Sequence, residues 1–461
     1  MRLIQTLCRT AACLFVLAAQ MPSAAWSNHA LGTGPALEGL AELRAAPAAV
    51  VEPLEAFLRA EGPALEQLLA AEERWAREHV PAYPPRPDAL AFRAVLPGSP
   101  DDNAAEWRRR FTAAVRINPD SRLALFLQRL PGQDDGGRDP LNWSRVTTLA
   151  AASAQIAARF VALQAGEQVA PIDVLTTASD EPDYGLDLGL YEDNGSAAGK
   201  SYGMGRQPFG NAAYEYSSQA PLHMGYFHES AIVYRAAPYL ARTLPEYRVH
   251  LWRSLAVHAL KTGHAYWGWR FGGWALHHIQ DLSQPYHARV LPGIGLPRML
   301  WISLLDLAGW HGPKDDAVTL VSNRHTAIEN YQYHLMQGAL RRGEAGHPTL
   351  MALRDRSTDP ATDPPAAWRD GTLRDSVARE SADAADALDA TLEAGLPARY
   401  IADPGYNTGV TEPGLDLATV VAQGPAEARQ RLDAMLGRLL QRFGAQSRAF
   451  VLDLLRPSPS P

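Results

Sequence analysis

His277 and Asp281 stand four residues apart in the stretch Leu276-His277-His278-Ile279-Gln280-Asp281-Leu282-Ser283-Gln284-Pro285-Tyr286-His287. Four residues is about one helical turn, so an imidazole and a carboxylate project from one helix face. Pro285 cannot continue that helix, and it biases Gln284 toward extended backbone. The chain therefore turns just past Asp281 and can bring His287 back toward the pair. Two histidines and one aspartate within eleven residues form a ligand set for a divalent metal, since imidazole nitrogen and carboxylate oxygen are donors that zinc accepts. The plainer alternative is a buried histidine cluster satisfied by hydrogen bonds.

A second pair with one-face spacing, His325 and Glu329, follows in Asn323-Arg324-His325-Thr326-Ala327-Ile328-Glu329. Alone, such a pair is more often a helix-surface contact. Thiolates are not on offer, because both cysteines, Cys8 and Cys13, lie in a leader-like N-terminus. Arg2 and Arg9 supply its positive end and Ala11 to Ala19 a short apolar run. Ser23-Ala24-Ala25 supplies small residues for cleavage. Residues 1–25 are accordingly read as a signal peptide, and the mature chain as secreted or periplasmic. An uncleaved membrane anchor is the alternative, but the apolar run is too short to span a bilayer. Cleavage after Ala25 makes Trp26 the first residue, with His29 close behind. Any metal site of the mature chain must then be built from His, Asp and Glu, which suits an oxidising compartment.

Taken together, Leu276-His277-x-x-x-Asp281-x-x-x-Pro285-x-His287-Ala288 and His325-x-x-x-Glu329 resemble the zinc-dependent phospholipase C family. The fungal single-strand-specific nucleases share that family's architecture. The resemblance implies an all-α multi-helix bundle carrying three Zn2+ at the bottom of a cleft, with the amine and carbonyl of an N-terminal Trp among the ligands. Carried over residue by residue, His287, His325 and Glu329 hold one zinc. His277 and Asp281 sit on a second, together with a further Asp and His. Asp281 bridges to the third, which Trp26 and His29 complete. The missing pair falls between His29 and His277, where Asp183 and His223 are chosen and Asp180, Asp187 and His228 compete. Asp183 is also the expected catalytic acceptor of the attacking water's proton. An α-amine, with a pKa of about 7.7–8.0, binds metal only when neutral, and Trp26 has one only after cleavage. The chain departs from the family in a short Trp26-to-His29 separation and in stretched His29-to-Asp183 and Asp183-to-His223 separations. The likeness is strong over roughly 220–340, moderate at the mature N-terminus and absent over most of 35–170 and 345–461.

The same resemblance implies a phosphodiester hydrolase. Glu329 and Ala288 match the phospholipase side of the family; the nuclease side commonly has Asp at the former position. A phospholipase C cleaving phospholipid to diacylglycerol and a phosphorylated head group is therefore the leading expectation. A single-strand-specific nuclease is the first alternative, and a non-catalytic metal-binding helical protein with an interaction role is the second. A net charge of −7 offers no basic footprint for a nucleic-acid backbone. Residues 291–310, apolar but interrupted by Pro297, Arg298 and Asp306, cannot span a bilayer. They read either as a core-packing helix or as an apolar rim touching lipid.

These ligands must be positioned by helices. The 461 residues, 46% of them hydrophobic, suffice for a large core. Helical apolar spacing marks 35–78, 104–116, 145–166, 246–282, 316–341, 371–394 and 424–455, and no strand-alternating region or internal repeat stands out. Residues 171–222, rich in Gly, Asp, Tyr and Ser, form a long irregular segment of the kind that often carries function. The expected organisation is a catalytic helical domain over 26–345 with a helical insertion at about 35–170. A C-terminal helical region over 346–461 then ends in a disordered Pro/Ser tail. The aromatic run Tyr266, Trp267, Trp269, Phe271 and Trp274 reads as core, and His258, His264 and His278 as packed or hydrogen-bonded.

Overall fold

In the computed structural model, the residues described are 28–149, 158–210, 212, 216–359, 368–408, 411–412 and 414–456. Residues 1–25, expected as a signal peptide, Trp26 and the Pro/Ser tail lie outside them. The described chain is 61% helix and 3% strand, which places it in the all-α class.

The N-terminal part comprises α1 (His29–Leu37), α2 (Ala41–Ala45), β1 (Ala49–Val50), α3 (Leu54–His79) and α4 (Ala104–Val115). After it come β2 (Phe126–Arg129), β3 (Pro140–Leu141), β4 (Arg159–Ala162) and β5 (Gln168–Val169). Two small antiparallel sheets result, β1 with β5 and the order β2-β4-β3. Phe126 pairs with Ala162 and Pro140 with Val161. Pro140 sits on an edge strand, where its missing N–H costs no ladder bond. The helix expected over 145–166 is therefore corrected. Residues 143–145 form a 3-10 turn and 159–162 a strand, while 150–157 lie outside the described residues. A four-residue strand is too short for its alternation to outweigh the neighbouring Ala-rich pattern.

The middle of the chain runs through α5 (Pro171–Ala178), α6 (Ala197–Ser201), α7 (Ala220–His223) and α8 (Ala231–Ala236), with 3-10 turns between them. Next come α9 (Pro245–Lys261), α10 (Ala265–Leu282), α11 (Pro285–Ala288), α12 (Leu296–Leu307) and α13 (Gly312–Arg341). The C-terminal part is α14 (Pro348–Arg354), α15 (Arg379–Gly395), α16 (Ala398–Ile401), α17 (Leu417–Ala422) and α18 (Ala426–Leu455).

The α9–α10 hairpin is the hub. Thr262, Gly263 and His264 join the two helices, and Gly263 takes a φ of +90° that a side chain would strain. Every residue of α10 from Tyr266 to Leu282 is buried, including Arg270, which is paired with Glu181 at 2.7 Å. The aromatic run packs as core: Trp274 meets Trp252 edge-on at 4.9 Å and Phe271 at 5.3 Å. Gly273 lets α5 close on α10, since a Cβ there would lie 2.4 Å from the Cβ of Ala178. That approach sets Ser179 to Asp187 beside the last turn of α10.

Residues of α3, α4 and the small sheets share one apolar cluster with α9 and α10. The region expected as an insertion therefore shares the core of α9 and α10. A second cluster joins α1, α13, α15 and α18. Arg448 of α18 is buried there, donating to the carbonyls of Ala36 and Leu353 at 3.2 and 2.6 Å. Among the described residues no helix is long and apolar enough to cross a membrane.

Candidate metal centre

The last turn of α10 carries His277, His278 and Asp281, all fully buried. Pro285 breaks the helix as expected, and α11 returns His287 to the same interior. Around them gather His29 from α1, Asp183 and Asp187 from the segment after α5, His223 from the end of α7, and His325 and Glu329 from α13. All are at most 5% exposed. Three sets have their ligating atoms within 4.8 Å of one another: His223, His277, His278 and Asp281; His29, Asp183 and His277; and His287, His325 and Glu329.

Hydrogen bonds on the far side of several rings fix which nitrogen faces inward. His277 Nδ1 lies 2.7 Å from the carbonyl of Ser179, and a carbonyl only accepts, so Nδ1 carries the proton. His287 Nδ1 is 2.9 Å from the carbonyl of His223. His29 Nδ1 is 3.0 Å from Gln280 Oε1, and Gln280 Nε2 is committed to Thr33 and Ser447 at 2.9 and 3.0 Å. Each ring thus has its Nδ1 proton engaged outside and directs its Nε2 to the centre, where it becomes a ligand once free of a proton, the arrangement that outer partners impose on metal-binding histidines.

The inward atoms have little else to bind. His29 Nε2, His223 Nε2, both nitrogens of His278, both oxygens of Asp281, His287 Nε2 and His325 Nε2 lack a hydrogen-bond partner. They are nonetheless close to each other. His277 Nε2 is 3.0 Å from His223 Nδ1 and 3.3 Å from Asp281 Oδ2; His223 Nδ1 is 2.9 Å from that oxygen, and His29 Nε2 is 3.4 Å from Asp281 Oδ1. His325 Nε2 approaches Glu329 Oε1 to 2.6 Å, yet the direction is wrong for a hydrogen bond and Nε2 remains unpartnered. His223 Nε2 likewise faces Asp187 Oδ2 at 3.3 Å without hydrogen-bond direction. Each unsatisfied buried polar group costs about 1–3 kcal/mol, so this cluster is expensive as bare protein. Its donor types suit a divalent cation, and the orphaned atoms face where one would sit.

The electrostatics divide the centre. Burial opposes charge on His29 and His223, but Asp281 and the neighbouring aspartates outweigh it, pushing them up to about 9 and about 10. Burial likewise opposes charge on Asp281, and His277 and His223 hold its carboxyl well below the usual range. At the other end burial wins. It pushes His287 down to about 4 and His325 down to about 3, and drives Glu329 well above the carboxylate range. Burial also holds His278 well below the imidazole range.

The structure brings together eight of the nine residues expected as ligands, and the ninth, Trp26, lies outside the described residues. His287, His325 and Glu329 group as expected. Asp183 groups with His29 and His277, and its Oδ1 lies 3.8 Å from His277 Nε2 and 3.9 Å from His223 Nδ1. Gln219 Nε2 fixes Asp183 Oδ1 at 2.7 Å. Among the competitors, Asp180 accepts from the Ala30 amide at 3.1 Å and Gln128 Nε2 at 2.6 Å, tying α1 down. Asp187 is held by Arg248 at 2.6 Å and turns its other oxygen to His223. His228 is engaged elsewhere, 2.7 Å from the carbonyl of Arg374.

His278 is packed, as expected, with no exposed surface. Both its nitrogens lack a hydrogen-bond partner, and its ring meets that of His223 at 5.0 Å. The three-residue spacing from His278 to Asp281 is itself a one-face helical spacing, so the local sequence did carry a hint of it. His223 and Asp187 reach around α10 to make that face part of the centre.

Over the centre opens a cavity of about 140 Å³. His223, His287 and His325 line it, together with Phe209, Tyr226, Leu240 and Val318 among others, and none of the described lining residues is Lys or Arg. The described chain is thus a helical protein with a buried histidine–carboxylate centre beneath an apolar pocket. No family model, curated protein or solved structure matches it.

Proposed function

We propose that the chain is a secreted, zinc-dependent phosphodiesterase of phospholipase C type. The observation that carries this reading is the convergence of unpartnered imidazole and carboxylate atoms from α1, α7, α10, α11 and α13 beneath one cavity. His29, Asp183, His223, His277, His278, Asp281, His287, His325 and Glu329 would hold the cations, with three Zn2+ as the number the motif resemblance implies. Bound zinc supplies Lewis-acid stabilisation of phosphoryl charge and a water acidic enough to ionise near pH 7.

The chain's own groups provide the rest. The carbonyls of Ser179 and His223 and the amide of Gln280 hold the Nδ1 protons of His277, His287 and His29. Gln219 orients the Asp183 carboxylate, the group placed to take the proton of an attacking water. The apolar and aromatic walls exclude water, which strengthens electrostatic interactions inside. A lining without Lys or Arg leaves the cations to meet phosphate charge. Such walls suit the glycerol and acyl portion of a phospholipid better than a polyanionic strand.

The aromatic rings Phe209, Tyr216, Tyr226 and Tyr239 favour a second reading, because bases stack on such rings. Processed protein, assayed with and without chelator on phosphatidylcholine, bis(p-nitrophenyl) phosphate and single-stranded DNA, separates the readings. Chelator-sensitive release of diacylglycerol and nitrophenol is expected. DNA hydrolysis without lipid hydrolysis selects the nuclease. Bound zinc with no turnover of any of the three selects the non-catalytic alternative.

A further inference from the structure

The segment between the two ligand motifs does not pack as core. On α12 and in the turn after it, Trp301 is 60% exposed, Leu304 56% and Trp310 69%. Leu300 and, from the facing α8, Ile232 are 41% and 45% exposed. Five of the eight large hydrophobic residues exposed among those described thus fall on α8, α12 and the turn that follows. Between the helices lies an apolar groove whose lining includes Ile232, Leu296, Met299 and Leu300. Leu240, Val290 and Leu291 line both this groove and the cavity over the histidine centre. The exposed face and the pocket therefore share a wall.

On the two helices themselves the exposed charged side chains are arginines, while exposed Asp386 lies beside the groove and accepts from the Gly293 amide at 3.0 Å. The carboxylate of α12, Asp306, is buried and bonded to Lys314 and His311 at 2.9 and 2.6 Å. Arg298 on α12 and Arg235 on α8 are exposed and form no ion pair among the described residues. The exposed carboxylates nearest in sequence, Asp315 and Asp316, belong to the first turn of α13. A contiguous exposed apolar patch marks an interaction surface. Tryptophan beside unpaired arginine is the combination that settles at a phospholipid–water boundary, with the rings at head-group depth and the cations toward anionic lipid. A short helix with such a face lies in the interface and does not cross it.

We propose that α8, α12 and the turn carrying Trp310 are a docking surface for an anionic phospholipid bilayer, which sets the mouth of the histidine-lined pocket against the membrane. This deepens the lipid reading of the site and rests on it for the identity of the substrate, but binding is measurable without turnover.

The test is flotation of the processed full-length chain with vesicles of phosphatidylcholine containing phosphatidylglycerol. Hydrolysis of bis(p-nitrophenyl) phosphate is measured in parallel. The variants are Trp301→Ala/Leu304→Ala and Arg235→Gln/Arg298→Gln. The apolar pair should bind at least about tenfold more weakly, given the area that two large side chains withdraw from water. The arginine pair should lose about fivefold per residue on anionic vesicles and little on pure phosphatidylcholine. Both should hydrolyse the soluble diester at the unaltered rate. Wild-type protein that does not float, or variants that float equally well, would overturn the proposal. A concentration-dependent dimer abolished by Trp301→Ala/Leu304→Ala would also overturn it, in favour of a second copy. Loss of diester hydrolysis with vesicle binding intact would instead count against the active-site reading and leave the surface standing.

Discussion

The α9–α10 hairpin carries two sets of histidines that meet opposite fates. Toward α3, His250, His258 and His264 each find a glutamate, and Glu61 also lies 3.6 Å from His264 Nε2. His250 Nδ1 lies 2.7 Å from Glu72, His258 Nε2 2.8 Å from Glu61, and His264 Nδ1 2.9 Å from Glu52. These side chains are about a fifth exposed, so water serves what the carboxylates leave. In the last turn of α10, His277 and His278 join His29, His223, His287 and His325 in full burial, where unpartnered nitrogens face one another. A fold that gives one histidine set carboxylates and water, and leaves the other with unpartnered nitrogens, supports a partner for the second beyond the protein. Histidine count does not separate the two sets; the direction of each inward nitrogen does.

The most severe way to break the contrast is Asp281→Asn. Asp281 touches three of the six buried rings and holds them together electrostatically. Its loss should weaken metal binding at least about a hundredfold, the upper end of what even outer partners of a ligand contribute, and activity should fall with it. Full metal content by elemental analysis in an active Asp281→Asn protein would contradict this.

Protons should compete with metal. Metal-free His29 and His223, raised to about 9 and about 10, are charged at neutral pH and must lose protons to bind. Calorimetric titration of zinc into metal-free protein near pH 7, in buffers of different ionisation enthalpy, should show proton release and tighter binding at higher pH. The sign for stability is opposite. Because their folded pKa values lie above the ordinary 6.5, these groups stabilise the metal-free fold below about pH 6.5, and that contribution fades as pH rises through 9 to 10. Metal-free melting temperatures that held steady up to pH 10 would count against this.

His278→Leu sharpens the boundary of the centre. If His278 belongs to it, metal affinity should drop about tenfold while the metal-free protein gains up to about 1–3 kcal/mol from removal of an unsatisfied group. Lower metal-free stability with unchanged affinity would return His278 to the core. The smallest effect is expected from His264→Gln on the satisfied side. One partly exposed pair is worth about 0.2–1 kcal/mol, and denaturant unfolding should register that loss without any change in metal content.

How much of this was legible in sequence followed from distance along the chain. His277, Asp281 and His287 announced themselves because one helical turn and one proline fix their mutual placement. His325 and Glu329 did so by the same turn. Asp183 and His223 have no local spacing to the motif and were reached through resemblance alone. Gln219, Gln280 and the Ser179 carbonyl, which set tautomers and orientation, act across long sequence separations and left no local mark. The exposed face of α12 was open between core and rim, since apolar composition does not say which side the rest of the fold covers. The small sheets were missed because two- to four-residue strands carry too little alternation.

The central claim is that the orphaned histidine–carboxylate cluster is completed by zinc. The direct measurement is elemental analysis of processed protein purified without chelator, paired with its melting temperature before and after EDTA. Bound zinc, a lower melting temperature on chelation and recovery on zinc return are expected. Metal-free protein whose melting temperature ignores both EDTA and added zinc would contradict the account.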